Sequence, residues 1–234
     1  YEARRCTEAD AGSIYIKDGN HLIFSHVQND TMQKKLPSGK KLIYSTFKVD
    51  INRKSISGYV ASTGEILNIP NVYRISKRAS YNFDPTYDKL SKYKTRSMLT
   101  VPLKNNRGLI LGVLQMINSK EKDRNGKVKS FDRDDEPFVL HFASSASMVL
   151  QRAQMMRAIL LRMINMAELR DPKETGAHVN RVGSYAVEIY ERWALKKNIH
   201  REQFDKNRDI LRMAAMLHDV GKVAISDLIL KKPA

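Results

Sequence analysis

The stretch Ser97-Met98-Leu99-Thr100-Val101-Pro102-Leu103, with the apolar run at residues 109–117 that follows it, decides the fold of the first half of the chain. Both runs are rich in β-branched and apolar residues and have the length of a buried strand. Between them lies Asn105-Asn106-Arg107-Gly108, whose residue types favour a tight turn. This pattern predicts an antiparallel β-hairpin.

A second hairpin is predicted upstream, because Ser13-Ile14-Tyr15-Ile16 and Leu22-Ile23-Phe24-Ser25-His26-Val27 flank an Asp-Gly turn at Asp18-Gly19-Asn20. The segment from Ser57 to Gly64 then predicts a short helix that ends at its glycine. Two hairpins with a helix between them indicate a sheet with helices packed on it.

Residues 66–70 predict a short strand that ends at Pro70. The next segment, residues 71–95, is rich in Tyr, Lys and Ser and predicts a long loop with a helical turn. Loops of that length are uncommon unless they have a function, so a ligand lid is the favoured interpretation. Residues 120–129 predict a charged loop.

From Phe131 onwards the pattern becomes helical, with a stripe of residues spaced alternately by four and by three. The stripe consists of Phe138, Phe142, Ser145, Val149, Arg152, Met156, Ile159, Met163 and Met166. Such spacing is typical of a long helix packed on its own domain or of a parallel dimer seam. We favour the homodimer, since the helix is too long for one small sheet to cover.

The last third of the chain predicts helices only. Asp171-Pro172 interrupts the long helix, because proline lacks a backbone donor and clashes with the preceding turn. The residues Val182, Ala186, Ile189 and Trp193 predict one amphipathic face, and Ile210, Ala214 and Leu217 predict another. We therefore divide the chain at residues 1–137, 138–170 and 171–234.

The composition excludes several classes of protein. The hydrophobic fraction of 42% and the charged fraction of 28% predict a packed core. No run is long enough to span a membrane, and the single cysteine, Cys6, fits a reducing cytoplasm. The net charge of +16 comes from scattered basic residues without a nucleic-acid motif, so a phosphate-bearing ligand is preferred to nucleic acid. The first residue is not Met, so we expect a fragment of a longer chain whose first helix is truncated.

A resemblance to a known family rests on five stretches of the first segment. They are Ala11-Gly12-Ser13-Ile14-Tyr15, Gly58-Tyr59-Val60-Ala61, Leu67-Asn68-Ile69-Pro70, Tyr93-Lys94-Thr95-Arg96-Ser97-Met98-Leu99 and Leu111-Gly112-Val113-Leu114-Gln115-Met116-Ile117-Asn118. With these stretches the segment resembles the GAF family. The resemblance implies an α/β (α+β) domain with a central antiparallel sheet and a pocket for a small-molecule ligand, whose identity is unknown.

Cyclic-nucleotide-binding members of that family carry an Asn-Lys, a Phe and an Asp-Glu, which resemble a salt-bridge lock at the rim of the pocket. Here Asn118, Phe131, Asp135 and Glu136 fit that pattern, while Lys120 stands one position late. The acidic pair also fits the first turn of a helix, where the helix dipole favours negative charge. Both interpretations stay open at this point.

His218-Asp219 is the most informative dipeptide of the second segment. A histidine and a neighbouring aspartate can bind metal ions through an imidazole nitrogen and a carboxylate. His178 lies upstream, and Lys222 follows Asp219 by three positions, where a cation can hold a phosphate oxygen. With the extension through residue 233, this set resembles the HD superfamily of metal phosphohydrolases and its HD-GYP branch, which hydrolyses cyclic di-GMP.

The resemblance implies that His178, His218 and Asp219 bind two metal ions, and that Asp219 bridges them. Iron or manganese suits such a set. Glu174 lies four residues before His178 and resembles a ligand of a third metal, but Asp171-Pro172-Lys173-Glu174 is also a helix cap. Asp219 and Lys222 would be the catalytic pair, with Lys222 on the scissile phosphate.

The function implied is a bacterial, cytoplasmic, GAF-regulated phosphodiesterase that hydrolyses cyclic di-GMP to the linear dinucleotide or GMP. The family needs further ligands and a Gly-Tyr-Pro motif that do not occur in these 234 residues, so we expect this fragment alone to be inactive. The alternatives are a ligand-binding and dimerisation module without activity, and an HD enzyme for another nucleotide.

Overall fold

The computed structural model describes residues 1–36, 48–121, 126–170, 176–199 and 201–230. These residues form two compact units, Tyr1–Arg152 and Ala153–Ala234. The first unit contains a sheet and its covering helices, and the second is helical. The long helix predicted between the two segments contributes its first half to the first unit.

The described residues of the first unit contain seven strands: β1 (Ala9–Asp18), β2 (His21–Asn29), β3 (Lys48–Asp50), β4 (Leu67–Ile69), β5 (Met98–Lys104), β6 (Ile110–Lys120) and β7 (Val128–Lys129). Their order is β3-β2-β1-β6-β5-β4, with β7 also paired to β6, and every pairing is antiparallel. The predicted hairpins and the central antiparallel sheet are confirmed. Part of the predicted charged loop is wrong, since Val128 and Lys129 continue the sheet as β7.

The helices of the described residues are α1 (Glu2–Cys6), α2 (Asp30–Gln33), α3 (Ile56–Thr63), α4 (Thr86–Ser91), α5 (Asp135–Arg170), α6 (Gly176–Lys196), α7 (Arg201–Met216) and α8 (Asp227–Leu230). Short 3-10 helices lie at Val72–Arg74 and Val220–Ala224. No helix among the described residues is long and apolar enough to cross a membrane.

Alternation along the strands gives the sheet two different faces. On one face Leu99, Val101, Leu114 and Met116 form a core with Val139 of α5. On the other face Val113 packs with Val60 of α3, and the neighbouring inward positions border a cavity. One face of the sheet is therefore covered by α5, and the other face borders the cavity.

Local chemistry fixes both ends of α3, and its end at Gly64 is as predicted. The Ser55 hydroxyl accepts a hydrogen bond from the Gly58 amide at 3.1 Å, which caps the first turn. Gly64 ends the helix with a φ of 72°, a left-handed conformation that glycine adopts without a steric penalty. The first residues of the helix, Ile56 and Ser57, border the cavity.

Within the second unit, α6 packs closely against α7. A Cβ on Gly183 would lie 3.0 Å from Cγ of Met216, so the small residue permits the close approach of the two helices. Val179, Gly183 and Ala194 lie on the packed side of α6.

The predicted faces of these two helices are partly wrong. Ile189 and Trp193 of α6 are exposed in the structure, and so are Ile210 and Ala214 of α7. The packed sides are rotated from the predicted ones, because both faces of each helix carry apolar residues and periodicity alone could not choose between them. The break at Asp171-Pro172 lies outside the described residues, and α5 extends to Arg170.

Candidate metal centre and ligand cavity

Three side chains with metal-binding chemistry meet in the second unit. His178 lies in the first turns of α6, whereas His218 and Asp219 follow the last turn of α7. One ligand atom from each of the three lies within 4.8 Å of the others. The crossing of α6 and α7 at Gly183 brings these residues together across 40 positions of sequence.

The hydrogen bonds of His218 leave one ring nitrogen available for a cation. Nδ1 lies 2.8 Å from the carbonyl oxygen of Ala215, so Nδ1–H donates and the lone pair is on Nε2. Nε2 faces the Asp219 carboxylate at 3.1 Å. Two acceptors this close are stabilised by a shared cation, either a proton or a metal ion, and two imidazoles with a carboxylate suit a divalent transition metal.

Lys222 lies beside this cluster. Its ammonium group is 3.0 Å from the same carboxylate oxygen of Asp219. Both side chains are about one quarter exposed, so a ligand can reach them from solvent. The contact orients Asp219 and places a positive charge at the edge of the cluster.

The structure thus gathers His178, His218, Asp219 and Lys222, and their roles as ligands and catalytic residues stay predictions. Glu174 lies outside the described residues. Two further histidines lie in the first unit, where His21 binds Asp50 at 2.9 Å and His26 lies 2.9 Å from the Ser25 hydroxyl.

A cavity of about 630 Å³ lies in the first unit, on the sheet face opposite α5. Its walls come from β1, β2, β5 and β6, from the start of α3, and from the segment between β4 and β5. The volume is in the range of sites for small organic molecules. The segment predicted as a lid therefore borders the cavity, and it contains α4 as well as a 3-10 turn.

Asp88 of α4 anchors this lid segment. Its carboxylate accepts hydrogen bonds from the Tyr73 hydroxyl at 2.7 Å and from the amide and hydroxyl of Thr95 at 2.7 and 2.8 Å. The bond to Asp88 is the main cause that raises the pKa of Tyr73 to about 12. Asp88 was not singled out from the sequence, where its only signal is that it and Asp84 are the two acidic residues of the segment 71–95.

A second polar network surrounds Asp10 of β1 and includes Tyr93, near the end of the lid segment. The buried carboxylate of Asp10 binds the ammonium of Lys120 and accepts from Tyr93 and Thr31, each at 2.9 Å. Burial by itself raises the pKa of Asp10, but these hydrogen bonds outweigh it and hold the pKa below its ordinary value. A carboxylate inside a strand was the overlooked signal, since such a residue needs partners.

The residues of the expected lock have other partners. Lys120 binds Asp10, and Asp135 accepts from the amide of Asp132 at 2.7 Å at the start of α5. Glu136 accepts from Asn68 at 3.0 Å, and Phe131 is buried in the core. This geometry supports the interpretation that Asp135 and Glu136 are the acidic first turn of α5, where the helix dipole favours negative charge.

Asn118 has a structural role in this arrangement. Its φ of 55° is left-handed, a conformation that asparagine tolerates better than most residues. Its side chain accepts from the Arg96 amide at 2.7 Å and donates to the Tyr93 hydroxyl and the Lys94 carbonyl, both at 2.9 Å. Asn118 thus fastens the last part of the lid to the end of β6.

The first unit is an antiparallel sheet with a ligand-sized cavity, and a helical segment with a His-His-Asp cluster of metal-binding chemistry follows it in the chain. Residues 1–150 match the model of the GAF domain, and residues 175–234 match that of the HD domain. Because the first match covers more than half of the chain, the chain belongs to the GAF domain family.

Two relatives are phosphodiesterases. The Drosophila melanogaster dual 3',5'-cyclic-AMP and -GMP phosphodiesterase 11 is 33% identical over 157 residues, which are 67% of this chain and 9% of that protein. The Takifugu rubripes dual 3',5'-cyclic-AMP and -GMP phosphodiesterase 11A is 37% identical over 105 residues, which are 45% of this chain and 10% of that protein. The chain thus spans about a tenth of these relatives.

Among solved structures, the GAF domain of an Acinetobacter phosphoenolpyruvate-protein phosphotransferase is similar. It is 18% identical and covers 67% of this chain and 80% of its own, with a TM-score of 0.46.

Proposed function

We propose that the protein containing this chain is a metal-dependent phosphodiesterase of the HD-GYP type, which hydrolyses cyclic di-GMP under the control of its GAF domain. The observation that carries the proposal is the cluster of His178, His218 and Asp219 with Lys222 bound to the aspartate. The match to the HD domain and the phosphodiesterase relatives support hydrolysis of a cyclic nucleotide.

Each residue has a distinct role in the proposed reaction. The two imidazoles and the carboxylate of Asp219 would hold two divalent metals, iron or manganese, and Glu174, outside the described residues, would hold a third unless it is only a helix cap. When bound, such metals supply a water of lowered pKa and stabilise charge on the phosphoryl group.

Lys222 keeps Asp219 oriented and donates to a non-bridging phosphate oxygen of the substrate. The backbone carbonyl of Ala215 holds the tautomer of His218 in which Nε2 faces the cluster.

We further propose that two chains associate through α5. The exposed residues of its stripe include Phe138, Val149, Met156, Ile159, Met163 and Met166. A ligand in the cavity would alter the register of the two helices and thereby the way the two hydrolase domains meet.

A second candidate substrate class is supported by the relatives, which are named for 3',5'-cyclic AMP and GMP. Both classes contain a cyclic phosphodiester and differ in ring size and in the number of bases. The roles proposed for His178, His218, Asp219 and Lys222 concern the metals and the phosphate and not the base, so the assay must compare both classes.

The test is hydrolysis by the full-length protein with Fe(II) or Mn(II), with cyclic di-GMP, cyclic AMP and cyclic GMP as separate substrates. Changing His218 and Asp219 together to Ala should abolish hydrolysis and lower the bound metal, because both metal contacts are lost. Lys222→Met should lower kcat by about a hundredfold with metal content unchanged. The matched control is His141→Ala, an exposed histidine of α5, which should keep full activity.

Cleavage of cyclic di-GMP by the wild type, lost in the double variant, supports the proposal. Cleavage of only the mononucleotides moves the assignment to the second substrate class. If a metal-loaded protein cleaves none of the three, the catalytic assignment fails.

A further inference from the structure

The lid segment presents a strongly basic surface to solvent. Seven basic side chains are exposed between residues 74 and 96, whereas the same stretch has one exposed carboxylate, that of Asp84. The other acidic residue, Asp88, is buried and hydrogen-bonded. The seven basic residues, which we call the lid surface, are Arg74, Lys77, Arg78, Lys89, Lys92, Lys94 and Arg96.

Contacts within the lid segment bring its parts together. The Val72 amide donates to the Arg96 carbonyl at 2.8 Å, so the two ends of the segment run side by side. The Thr95 amide donates to the carboxylate of Asp88 at 2.7 Å, which holds α4 beside the same end. Basic residues from both ends of the segment and from α4 therefore lie on one part of the first unit.

The charges of the lid surface have no acidic counterparts. Among the described residues, no carboxylate lies within ion-pair distance of any of the seven basic groups. Asp84 instead accepts hydrogen bonds from the amide and the hydroxyl of Thr86, at 2.9 and 2.6 Å. Like charges that no acid offsets repel one another, and an anionic partner relieves this repulsion. The lid surface is therefore complementary to negative charge.

A large apolar side chain lies within the same surface. Leu90 of α4 is 80% exposed and lies between Lys89 and Lys92 in the sequence. Lys92 ends the helix with a φ of 53°, where glycine is usual, so a cation stands there at a conformational cost. A leucine flanked by lysines suits the boundary of a lipid bilayer, where the apolar side chain enters the acyl region and the ammonium groups stay at the phosphates.

The aromatic rings of the segment do not favour nucleic acid. Single strands bind where their bases can stack on exposed aromatic faces. The ring of Tyr73 instead packs edge-to-face with Phe83, with 5.2 Å between the centroids, and the Lys94 ammonium lies 5.9 Å from the centroid of Tyr73. The most exposed apolar group of the segment is the aliphatic Leu90, which suits a lipid better than a base.

We propose that the lid surface docks on an anionic phospholipid membrane, with Leu90 at the acyl boundary and Lys89 and Lys92 on the lipid phosphates. The surface potential of such a membrane attracts basic residues, and each one that reaches it raises the affinity about fivefold. The same segment lines the cavity through Phe83, so docking places one wall of the cavity at the membrane. Docking does not depend on the proposed hydrolase activity.

The test is co-sedimentation of the full chain with vesicles of equal parts phosphatidylserine and phosphatidylcholine, beside vesicles of phosphatidylcholine alone. The wild type should bind only the anionic vesicles, and more weakly as salt is added, because salt screens the attraction. Lys89→Ala combined with Lys92→Ala should weaken binding about twentyfold, since two charges are lost. Leu90→Ala should weaken it about fivefold, since apolar area leaves the acyl boundary.

Matched controls come from the opposite end of β5, about 20 Å along the strand from the lid segment. Lys104→Ala combined with Arg107→Ala removes the same charge from exposed positions and should weaken binding less than about threefold, because charge at that distance is screened. Leu109→Ala, at a leucine that is 60% exposed, should bind as the wild type does. All these side chains are exposed, so equal melting temperatures should show that every variant folds.

Four outcomes would overturn the proposal. Equal weakening by the lid pair and by the control pair would show that the overall charge of the chain attracts the vesicles. Wild-type affinity in the lid pair would exclude the lid surface. Failure of the wild type to bind anionic vesicles would refute docking, and binding of polyglutamate in their place would assign the surface to an acidic protein. Soluble glycerophosphoserine bound as tightly as vesicles would indicate a headgroup site without membrane docking.

Discussion

At the scale of single residues, Asp10 links several segments of the first unit, so its substitution should destabilise that unit. Its buried carboxylate holds Lys120, Thr31 and Tyr93, which belong to three different segments. Asp10→Asn should lower the free energy of unfolding by about 2 kcal/mol, since hydrogen bonds to a charged group are stronger than neutral ones. Urea unfolding of the wild type and of Asp10→Asn at neutral pH measures this difference in free energy. The control Asp132→Asn, at an exposed pair with Lys129, should change it by less than about 1 kcal/mol.

The same carboxylate should give a pH-dependent signature. Its pKa in the folded protein lies below the ordinary 3.8, so its contribution is complete above the ordinary value and is lost as the pH falls through the lowered value. The difference in unfolding free energy between the wild type and Asp10→Asn should therefore be constant near neutrality and shrink below pH 3.8. A difference that grows on acidification would contradict the network described for Asp10.

At the scale of elements, the lid segment depends on Asp88. Asp88→Asn removes the negative charge that holds Tyr73 and Thr95, so hydrogen exchange in residues 72–95 should become faster. The pKa of Tyr73 should fall from about 12 towards its ordinary value of 10, which a spectroscopic titration detects. Because the folded pKa is raised, the stabilisation from this bond is complete below pH 10 and is lost as the pH rises through about 12.

Unchanged exchange in this segment, with an unchanged Tyr73 titration, would show that Asp88 does not anchor the lid. Asp84→Asn is a suitable control, because Asp84 caps only the turn before α4 at Thr86. Asp84→Asn should therefore leave the pKa of Tyr73 unchanged.

The crossing of α6 and α7 is a second feature at this scale, and the geometry of the candidate metal centre depends on it. Gly183→Leu should cost about 1–3 kcal/mol and weaken Mn(II) binding about tenfold, because a larger side chain meets Met216 and separates His178 from His218. Gly183→Ala should be nearly neutral, since its contact at 3.0 Å is offset by better helix propensity. Unfolding followed by circular dichroism measures the change in stability, and titration with Mn(II) measures the change in metal affinity.

Gly221→Ala is the control for the crossing, because a Cβ there meets no atom within 4 Å. Full Mn(II) affinity in Gly183→Leu would show that the crossing does not set the geometry of the cluster.

At the scale of the whole molecule, the exposed stripe of α5 predicts a dimer. Ile159→Glu places a charge in the proposed seam and should convert the full chain to monomers in light scattering. Gln154→Glu adds the same charge to an exposed position of α5 outside the stripe and should leave the dimer intact. A wild-type chain that is monomeric at micromolar concentration would refute the seam.

Local patterns were sufficient for much of the fold. Gly19, Gly64 and the Asn105-Gly108 turn mark element ends through backbone preferences that act over a few residues, and the structure confirms them. The predicted faces of α6 and α7 were partly wrong, because each helix carries apolar residues on more than one side and only the partner helix decides which side is packed.

The sequence by itself determined the antiparallel sheet, the helical second half, and the residue types of a candidate metal centre, since periodicity and turn chemistry are local properties. Only the tertiary structure decided that Lys120 binds Asp10, that Gln115 and Ser13 face a cavity, and that His178 reaches His218. Such pairings depend on strand register and helix crossing, which join residues distant in the chain. The energies that select them arise from packing and desolvation, and no local pattern contains these.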